Sequence, residues 1–293
     1  MTLHSDASPL TLDRLGPADL VETFGFLDRD PIVNVYLLAL TVRDALSQPR
    51  DEFWAARRDG EISGLLYLGG HSGAVLPTGD DPSVANLFAR QVITRRSFLP
   101  RRFQVIGGAA PVDAIVRGLS EEGVRPRLER HQWYMALERG KLTVPERVPE
   151  LRQARPPDYE LTFRTGADLR AEELNEDPRV TDPLAYAKRV EDECRDGYTF
   201  LWTDEQGLCF RASVSARTPD AAQISGVYVP PERRNRGFAR RGMAELCARL
   251  LADSASICLF VNDFNEPALA VYHRLGFTNR KEWASAFYGS SSC

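Results

Sequence analysis

The sequence lacks the features that would place the chain in or across a membrane. No basic stretch followed by an apolar run opens the chain, so its N-terminus does not resemble a secretion signal. The longest uncharged apolar runs, such as residues 32–42, fall far short of the ~20 apolar residues that a transmembrane helix needs. We therefore expect a cytoplasmic protein with no membrane partner.

Paired cysteines and an excess of positive charge are also missing. The five cysteines all lie in the second half, and none has CxxC spacing. A disulfide framework or a metal site is therefore not expected. Cys247 and Cys258 fall in apolar segments and are interpreted as small buried side chains. A net charge of −4, with no Lys/Arg stripe interleaved with aromatic residues, argues against nucleic acid as a partner.

Length and proline placement suggest two domains. The chain has 293 residues, and four prolines interspersed with charges fall in residues 142–158. Because proline interrupts helices and strand ladders, this segment is predicted to be an extended linker over the surface. We expect an N-terminal α/β domain over residues 1–141 and a C-terminal α/β domain with a mixed sheet over residues 159–293.

Apolar periodicity predicts alternating elements in both halves. Asp59-Gly60 predicts a hairpin turn in the first half, and Asp204 to Gly207 predicts one in the second. The predicted helices cover residues 17–26, 34–46, 83–94, 111–123, 237–252 and a stretch after Pro267, with two more in residues 169–197. The predicted strands cover residues 52–57, 62–68, 103–106, 131–138, 159–164, 199–203, 207–216, 223–229, 257–261 and a final one near 283–287.

The most informative segment is a basic loop between a strand and a helix. Pro230-Pro231 ends the strand, and the helix opens near Gly237 with one apolar face. Positive charge is unfavourable at a helix N-terminus unless an anion is bound there. Backbone N–H groups, the helix dipole and guanidinium groups together suit a phosphate or pyrophosphate, and Gly237 would let the backbone approach it closely. The arginines of this loop and first turn are Arg233, Arg234, Arg236, Arg240 and Arg241.

A solvated basic turn is the alternative to an anion site. The spacing is neither that of a Walker loop nor that of a dinucleotide-binding glycine motif. Arg234-x-x-Gly237-x-Ala239 resembles the acetyl-CoA motif of the GNAT superfamily of N-acetyltransferases. The resemblance implies that the backbone of Val227, Tyr228 and Val229 pairs with the pantetheine arm. It also implies a pyrophosphate site formed with Arg234 by the N–H groups of Asn235, Arg236, Gly237, Phe238, Ala239 and Arg240.

A second signature follows about 25 residues later. The pattern Asn265-x-x-Ala-x-x-x-Tyr272-x-x-x-Gly276-Phe is similar to the GNAT pattern after its splayed strand. The residues also predict a helix capped by Asn265 or Glu266 and ended by Gly276. In the family, a tyrosine at the position of Tyr272 often protonates the leaving thiolate, and Asn265 would contact pantetheine or a structural water. The alternative for Tyr272 is a ring packed on the apolar face of the helix with its hydroxyl hydrogen-bonded, and the alternative for Asn265 is a helix cap.

The function that the resemblance implies is transfer of an acetyl group from acetyl-CoA to a primary amine, by direct attack in a ternary complex. The acceptor would be a small molecule or a peptide. The predicted strand before the loop has no carboxylate to act as a base, although Gln223 or Ser225 could position a water. Glu191, Asp192 and Glu193 are interpreted as a solvated helix face. The alternative is a non-catalytic module with this fold that binds or senses acyl-CoA, or that holds an interaction partner.

The acceptor-side helices, residues 169–197, are acidic. This acidity favours a cationic acceptor mildly, and surface solubility explains it equally well. The oligomeric state stays open.

The N-terminal half has no comparable loop, and residues 105–112, where one was expected, carry no basic residue. Residues 26–36 resemble the start of a degenerate GNAT-like domain that precedes the catalytic domain in some bacterial two-domain acetyltransferases. That domain would pack on the catalytic one. Both halves also end in a helix, a Gly-hydrophobic pair and a strand, so they are either a duplication or two α/β units that end alike by chance.

Overall fold

The computed structural model describes residues 9–143 and 147–289. The elements of the first half are β1 (Thr11–Leu15), α1 (Leu20–Leu27), α2 (Val35–Val42), β2 (Asp51–Arg58), β3 (Glu61–Gly69), β4 (Ala74–Thr78), α3 (Pro82–Thr94), β5 (Phe103–Gly108), α4 (Ala109–Glu121) and β6 (Leu128–Glu138). Those of the second half are β7 (Arg152–Gln153), α5 (Tyr159–Leu174), α6 (Pro178–Thr181), α7 (Pro183–Asp196), β8 (Thr199–Asp204), β9 (Gly207–Arg217), β10 (Ala221–Tyr228), α8 (Phe238–Leu250), β11 (Ser256–Asn262), α9 (Glu266–Leu275) and β12 (Thr278–Tyr288).

The described chain divides into two units that do not follow chain order. The first unit contains residues 9–30, 37–132 and 281–289, and the second contains residues 31–36, 133–143 and 147–280. Each unit therefore takes a strand segment from the opposite half of the sequence. The end of β12 belongs to the first unit, and the end of β6 belongs to the second.

The first unit is a sheet with helices on both faces. Strands β1 to β5 follow one another in sheet order, and the last part of β12 lies antiparallel to β5, with Trp283 opposite Gly108 and Tyr288 opposite Phe103. One face carries α3 and α4 over a core that includes Phe88, Val105 and Ala286. The opposite core joins α1 and α2 to β2 and β3.

The second unit repeats this layered plan. Its sheet order is β6-β11-β10-β9-β8-β7, in which β10 and β11 are parallel and β8, β9 and β10 are antiparallel. Helices α8 and α9 cover one core, to which Met135 and Leu137 of β6 contribute. Helices α5 and α7 cover the other core, against β8 and β10. The mixed α/β class predicted from the sequence is confirmed.

Most predicted elements are present, with one clear error. Both predicted hairpins form, β2–β3 and β8–β9. Residues 159–164, predicted as the opening strand of the second half, instead begin α5. Their alternation of apolar and polar residues suggested a period of two, but the rings of Tyr159 and Phe163 pack together at 5.6 Å between centroids, as residues four apart do on a helix. Strands β1, β4 and β7 were not predicted.

The segment predicted as a surface linker, residues 142–158, is packed into the second unit over residues 147–158. The side chains of Val148, Leu151 and Ala154 are buried. The Glu245 carboxylate of α8 accepts hydrogen bonds from the Val148 N–H and from Arg147. The opening strand of this half, β7, lies in the same segment, antiparallel to β8.

Four of the five cysteines lie in the described ranges. Cys194, Cys209, Cys247 and Cys258 are buried free thiols, and Cys293 is outside those ranges. No helix in residues 9–143 or 147–289 is long and apolar enough to cross a bilayer.

Candidate functional site

The centre of the candidate site is the place where two parallel strands of the second unit part. The register of β10 with β11 runs from Ala221 opposite Ser256 to Gln223 opposite Cys258. Both strands continue beyond this ladder, β10 to Tyr228 and β11 to Asn262. The backbone edges after the last pair therefore face an opening in which an extended ligand can pair like an added strand.

A bulge in β10 lies at the side of this opening. Ser225 pairs with Ser213 of β9 and Tyr228 pairs with Arg211, so Gly226 and Val227 together oppose one residue. Gly226 has φ +60°, a left-handed conformation that side chains disfavour. Such a bulge leaves backbone groups outside the ladder, where they can aim at a ligand. The glycine inside a predicted strand was a signal of this irregularity that the sequence-based prediction missed.

The basic loop runs from the end of β10 to the start of α8, as the sequence predicted. Asn235 and Gly237 have positive φ values of 60° and 80°, and Gly237 is the residue that precedes the first turn of α8. A methyl group placed on Gly237 would meet no atom within 4 Å. The exposed backbone of the loop thus curves around open space at the positive end of the helix, which is a suitable place for an anion.

The five arginines of this region are not equivalent. Arg233 is 4% exposed and forms an ion pair with Asp204 at 2.7 Å, which anchors the loop to the β8–β9 hairpin. This contact holds the pKa of Asp204 down to about 2. The guanidinium of Arg241 lies over the Trp202 ring. The side chains of these two arginines are thus held by residues of the β8–β9 hairpin.

Arg234, Arg236 and Arg240 are exposed in the loop and the first turn. The Arg234 Nε donates to the Val229 carbonyl at 3.1 Å, and its Nη2 donates to Glu172 of α5 at 2.7 Å. The same guanidinium lies 5.9 Å from the centroid of the Tyr228 ring. In this structure the motif arginine is therefore oriented by the strand end and by α5.

Helix α9 forms the second part of the site. The Asn265 side chain accepts a hydrogen bond from the Ala268 N–H at 3.2 Å, so the predicted cap is present. Gly276 ends the helix in a left-handed conformation, and Phe277 packs 5.7 Å from the Tyr272 ring. Tyr272 is 6% exposed and belongs to the same core as Val229. Burial, together with the charge of Glu173, raises the pKa of the Tyr272 hydroxyl well above its usual value.

The end of α5 reaches the same opening. Leu169 lies beside the bulge, with its Cδ2 3.7 Å from where a methyl group on Gly226 would stand. One turn later come Glu172, which pairs with Arg234, and Glu173, whose charge acts on Tyr272. In the sequence, both carboxylates were recognised only as members of the acidic acceptor-side helices. Leu169 and Glu173 are four apart on one face of α5, but no local pattern indicated that this face meets the β10 bulge.

Ion pairs occupy much of the acidic acceptor-side region. Lys188 pairs with Asp192 at 3.0 Å and contacts Glu191 at 3.6 Å, as expected for a solvated face. Glu193 is different, because it accepts a hydrogen bond from Arg211, whose side chain is almost entirely buried. The described ranges contain no group of three or more His, Cys, Asp or Glu side chains that could hold a metal ion.

Apart from the short helix α6, the first half of the chain has the same order of elements, and the loop equivalent to the basic one joins β4 to α3. The prediction that residues 105–112 hold this position is wrong, because they join β5 to α4. The equivalent loop is acidic: Asp81 accepts a hydrogen bond from the Ser83 N–H at 2.8 Å and pairs with Arg58 at 2.6 Å. Strands β4 and β5 also stay close, since a methyl group on Gly107 would stand 2.9 Å from the Pro77 carbonyl oxygen. The positive end of α3 is therefore filled by the chain's own carboxylate.

Comparison with known proteins agrees with this geometry. The model of a family described as FR47-like protein matches residues 211–286, which include the bulge, the parting strands, the basic loop and α9. No curated protein matches the chain.

Several solved structures share its architecture. A tandem GNAT protein from the clavulanic acid biosynthesis pathway has TM-score 0.56 and 18% identity, covering 97% of this chain and 100% of its own. A GCN5-related N-acetyltransferase from Sphaerobacter thermophilus has TM-score 0.56 and 18% identity, covering 96% of each chain. A GNAT-family acetyltransferase from Colwellia psychrerythraea has TM-score 0.56 and 10% identity, covering 95% of this chain and 99% of its own.

Identities this low establish the fold rather than the reaction. The chain has a GNAT fold that extends over both halves as in a tandem GNAT protein, and its C-terminal region carries the GNAT-like FR47 pattern.

Proposed function

We propose that this protein is an N-acetyltransferase that moves an acetyl group from acetyl-CoA to a primary amine of a small molecule or peptide, by direct attack in a ternary complex. The observation that carries the proposal is the opening between β10 and β11, which leads to an exposed basic loop at the start of α8. A GNAT-type fold supports acyl transfer in general. The acetyl donor and the amine acceptor are the specific part of the proposal.

The residues present fit a coenzyme A group. The backbone from Val227 to Val229 offers an edge for the pantetheine arm, and the exposed N–H groups from Asn235 to Arg240 suit the pyrophosphate. No atom lies within 4 Å of the place where a side chain on Gly237 would project. Arg234, oriented by Glu172, lies at the same end of the opening.

Acetyl-CoA supplies an activated acyl group, and the chain's own atoms can lower the barrier to its transfer. A backbone N–H beside the bulge, near Val227, can donate to the thioester carbonyl as negative charge develops on its oxygen. The Asn265 Oδ1 caps α9, so a contact with the pantetheine arm would come from its amide N–H groups.

Tyr272 fits the role of hydrogen-bond donor to the leaving sulfur. Its raised pKa keeps the hydroxyl protonated near neutral pH, and a thiolate with a pKa of about 8.5 would accept its full proton only uphill. We therefore assign Tyr272 to stabilise the leaving thiolate by donating a hydrogen bond. This role is narrower than the full proton transfer that the family resemblance implies for Tyr272.

The test combines coenzyme binding with turnover. The full chain is titrated with acetyl-CoA by calorimetry, then incubated with acetyl-CoA and a panel of alkyl amines, peptides and aminoglycosides. Release of coenzyme thiol and a matching acetylated product by mass spectrometry are expected. Lack of acetyl-CoA binding would refute the proposal outright.

A pair of variants localises the binding site. Arg240→Gln removes one charge from the first turn of α8, and Arg101→Gln removes one from an exposed arginine of the first unit. Weaker acetyl-CoA binding is expected only for Arg240→Gln, with a smaller difference at high salt because exposed charges are screened. Equal effects of the two substitutions would contradict the assignment of the loop.

One observation favours a second candidate, a module that binds or senses acyl-CoA without turnover. Strand β10, Ala221–Tyr228, has no carboxylate that could act as a base. Tight acetyl-CoA binding with no thiol release across the whole panel would support this candidate against the enzyme.

A further inference from the structure

A carboxylate at the end of α5 lies beside the candidate acyl-transfer site. Leu169 packs next to Gly226 in the β10 bulge, and Glu173 follows it by four residues, on the same face of the helix. The neighbouring Glu172 reaches Arg234 at the end of the opening. The last turn of α5 thus extends from the bulge to the basic loop.

Glu173 also faces the tyrosine of α9. Its negative charge is among the causes that raise the pKa of Tyr272, after burial of that hydroxyl. The Glu173 side chain is exposed and Tyr272 is buried. The other titratable groups whose charges act on Tyr272 or on Tyr228 of β10 are Asp168 and Glu172 on α5, Glu232 and Arg234 in the loop, and Cys247 on α8.

An amine acceptor has a proton to lose before it can react. Alkyl amines have pKa values near that of lysine, about 10.4, so they are mostly protonated near neutral pH and have no free electron pair. A carboxylate can attract the ammonium group and accept its proton within the site. We infer that Glu173 is this proton acceptor, an inference that rests on the proposed acetyl transfer to a primary amine.

The proton balance is complete without another reagent. The ammonium group R–NH₃⁺ gives one proton to the Glu173 carboxylate. The freed nitrogen pair forms the N–C bond, the C–S bond breaks, and its electron pair stays on sulfur. The nitrogen loses a second proton as the amide forms, and this proton neutralises the thiolate. The products are the amide, the thiol and protonated Glu173, which returns its proton to solvent.

Other candidate bases in the second unit are less well placed. Glu191, Asp192 and Glu193 lie on α7, whereas the helix whose Leu169 stands beside the bulge is α5. His273 lies on α9, but its Nδ1 is 3.2 Å from the Phe277 carbonyl oxygen and its side chain is on the exposed face of the helix. The Gln223 amide donates to Ser215 at 2.9 Å and is not a base at neutral pH.

The test compares Glu173→Gln with Glu160→Gln, which removes an exposed carboxylate from the first turn of the same helix. Each variant is assayed near neutral pH with an amine that is protonated there and with an aryl amine that is not. With the protonated amine, Glu173→Gln should lower kcat/KM by about 100-fold or more, the contribution expected of a general base. The loss should be much smaller with the uncharged amine, and acetyl-CoA binding should be unchanged.

A second readout does not depend on activity. In protein labelled with ¹³C at tyrosine Cζ, the Tyr272 signal is assigned by its loss in Tyr272→Phe and compared between wild type and variants near neutral pH. Removing the Glu173 charge should shift the Tyr272 signal, and Glu160→Gln should not shift it.

The outcomes separate this inference from the proposed function. If the wild type turns over and Glu173→Gln matches Glu160→Gln with both amines, the inference is overturned and the acetyltransferase stands. An unshifted Tyr272 signal in Glu173→Gln would also overturn it, because Glu173 would then not face the site. If the wild type binds acetyl-CoA without any turnover, the proposed function fails and takes the inference with it.

Discussion

Substitution of Gly237 by alanine tests the loop most directly, because the structure separates its effect on stability from its effect on the ligand. Gly237 has φ +80° and open space around it, and Gly60, in the β2–β3 turn of the first unit, has φ +83° and open space as well. A left-handed conformation costs a non-glycine residue about 1–2 kcal/mol, with no steric clash to add at either position. Gly237→Ala and Gly60→Ala should therefore destabilise the protein similarly, lowering Tm by about 2–4 °C per kcal/mol.

Only Gly237→Ala should weaken acetyl-CoA binding. The new methyl group would project into the space assigned to the pyrophosphate, and the N–H groups of the curved loop would lose their common direction. Losing one hydrogen bond to a charged group costs about 1.5–3 kcal/mol. That cost corresponds to about 10- to 100-fold in Kd.

Thermal melts and calorimetric titration with acetyl-CoA measure the two effects. If both variants bind acetyl-CoA as tightly as the wild type, the pyrophosphate is not held at the start of α8. If Gly237→Ala alone loses several times more stability than Gly60→Ala, the strain argument is wrong.

Three further predictions concern stability. The hydrogen bond with Arg147 is the main reason that the pKa of Glu245 is about 2 in the folded protein, below its ordinary value of 4.5. The stability that Glu245 contributes is therefore present above pH 4.5 and is lost as the pH falls toward about 2. Glu245→Gln should flatten this part of a plot of unfolding midpoint against pH, and an unchanged slope would show that Glu245 does not cause the acid loss of stability. A methyl group on Gly242 would lie 2.3 Å from the Phe210 ring, so Gly242→Ala should cost at least about 1–3 kcal/mol in chemical denaturation, and a wild-type midpoint would show that the core can relax there. A chain ending at Arg280 should lose hydrogen-exchange protection in β5 of the first unit while β9 and β10 keep theirs, and loss spread evenly over both units would contradict the assignment of β12.

The parts of the site that the sequence predicted are those set by nearby residues. The stop at Pro230-Pro231, the helix start at Gly237 and the Asn265 cap each depend on interactions within a few positions of the chain. Backbone sterics and helix-end hydrogen bonds operate over this range. Local sequence pattern is therefore sufficient to locate the loop and α9.

The features that were missed depend on distant contacts or on the wrong period. The start of α5 was predicted as a strand because the alternation of Tyr159, Leu161 and Phe163 satisfies a period of two over a short stretch. The helix predicted from residue 169 included Glu173, but its contact with the β10 bulge is a distant one that local pattern does not specify. The roles of Arg233 and Arg241 depended on partners in the β8–β9 hairpin, Asp204 and Trp202, which local pattern does not reveal.

Sequence pattern also could not predict which strands belong to the first unit. Pairing between residues 283–288 and β5 joins positions about 180 apart in the chain, and no local signal specifies such a partner. The acidic loop before α3 was missed because strand β4, which precedes it, was not predicted, so the equivalent position was assigned one strand too late.

The contribution of β12 to the first unit has a consequence for how the chain is made. A ribosome releases the N-terminal half first, and the strand that borders β5 emerges only after the elements from β6 to α9 have been made. Until then β5 has an open edge, and open edges invite pairing with other chains. The nascent first half should therefore depend on chaperones, or on rapid synthesis of the second half, more than its size suggests.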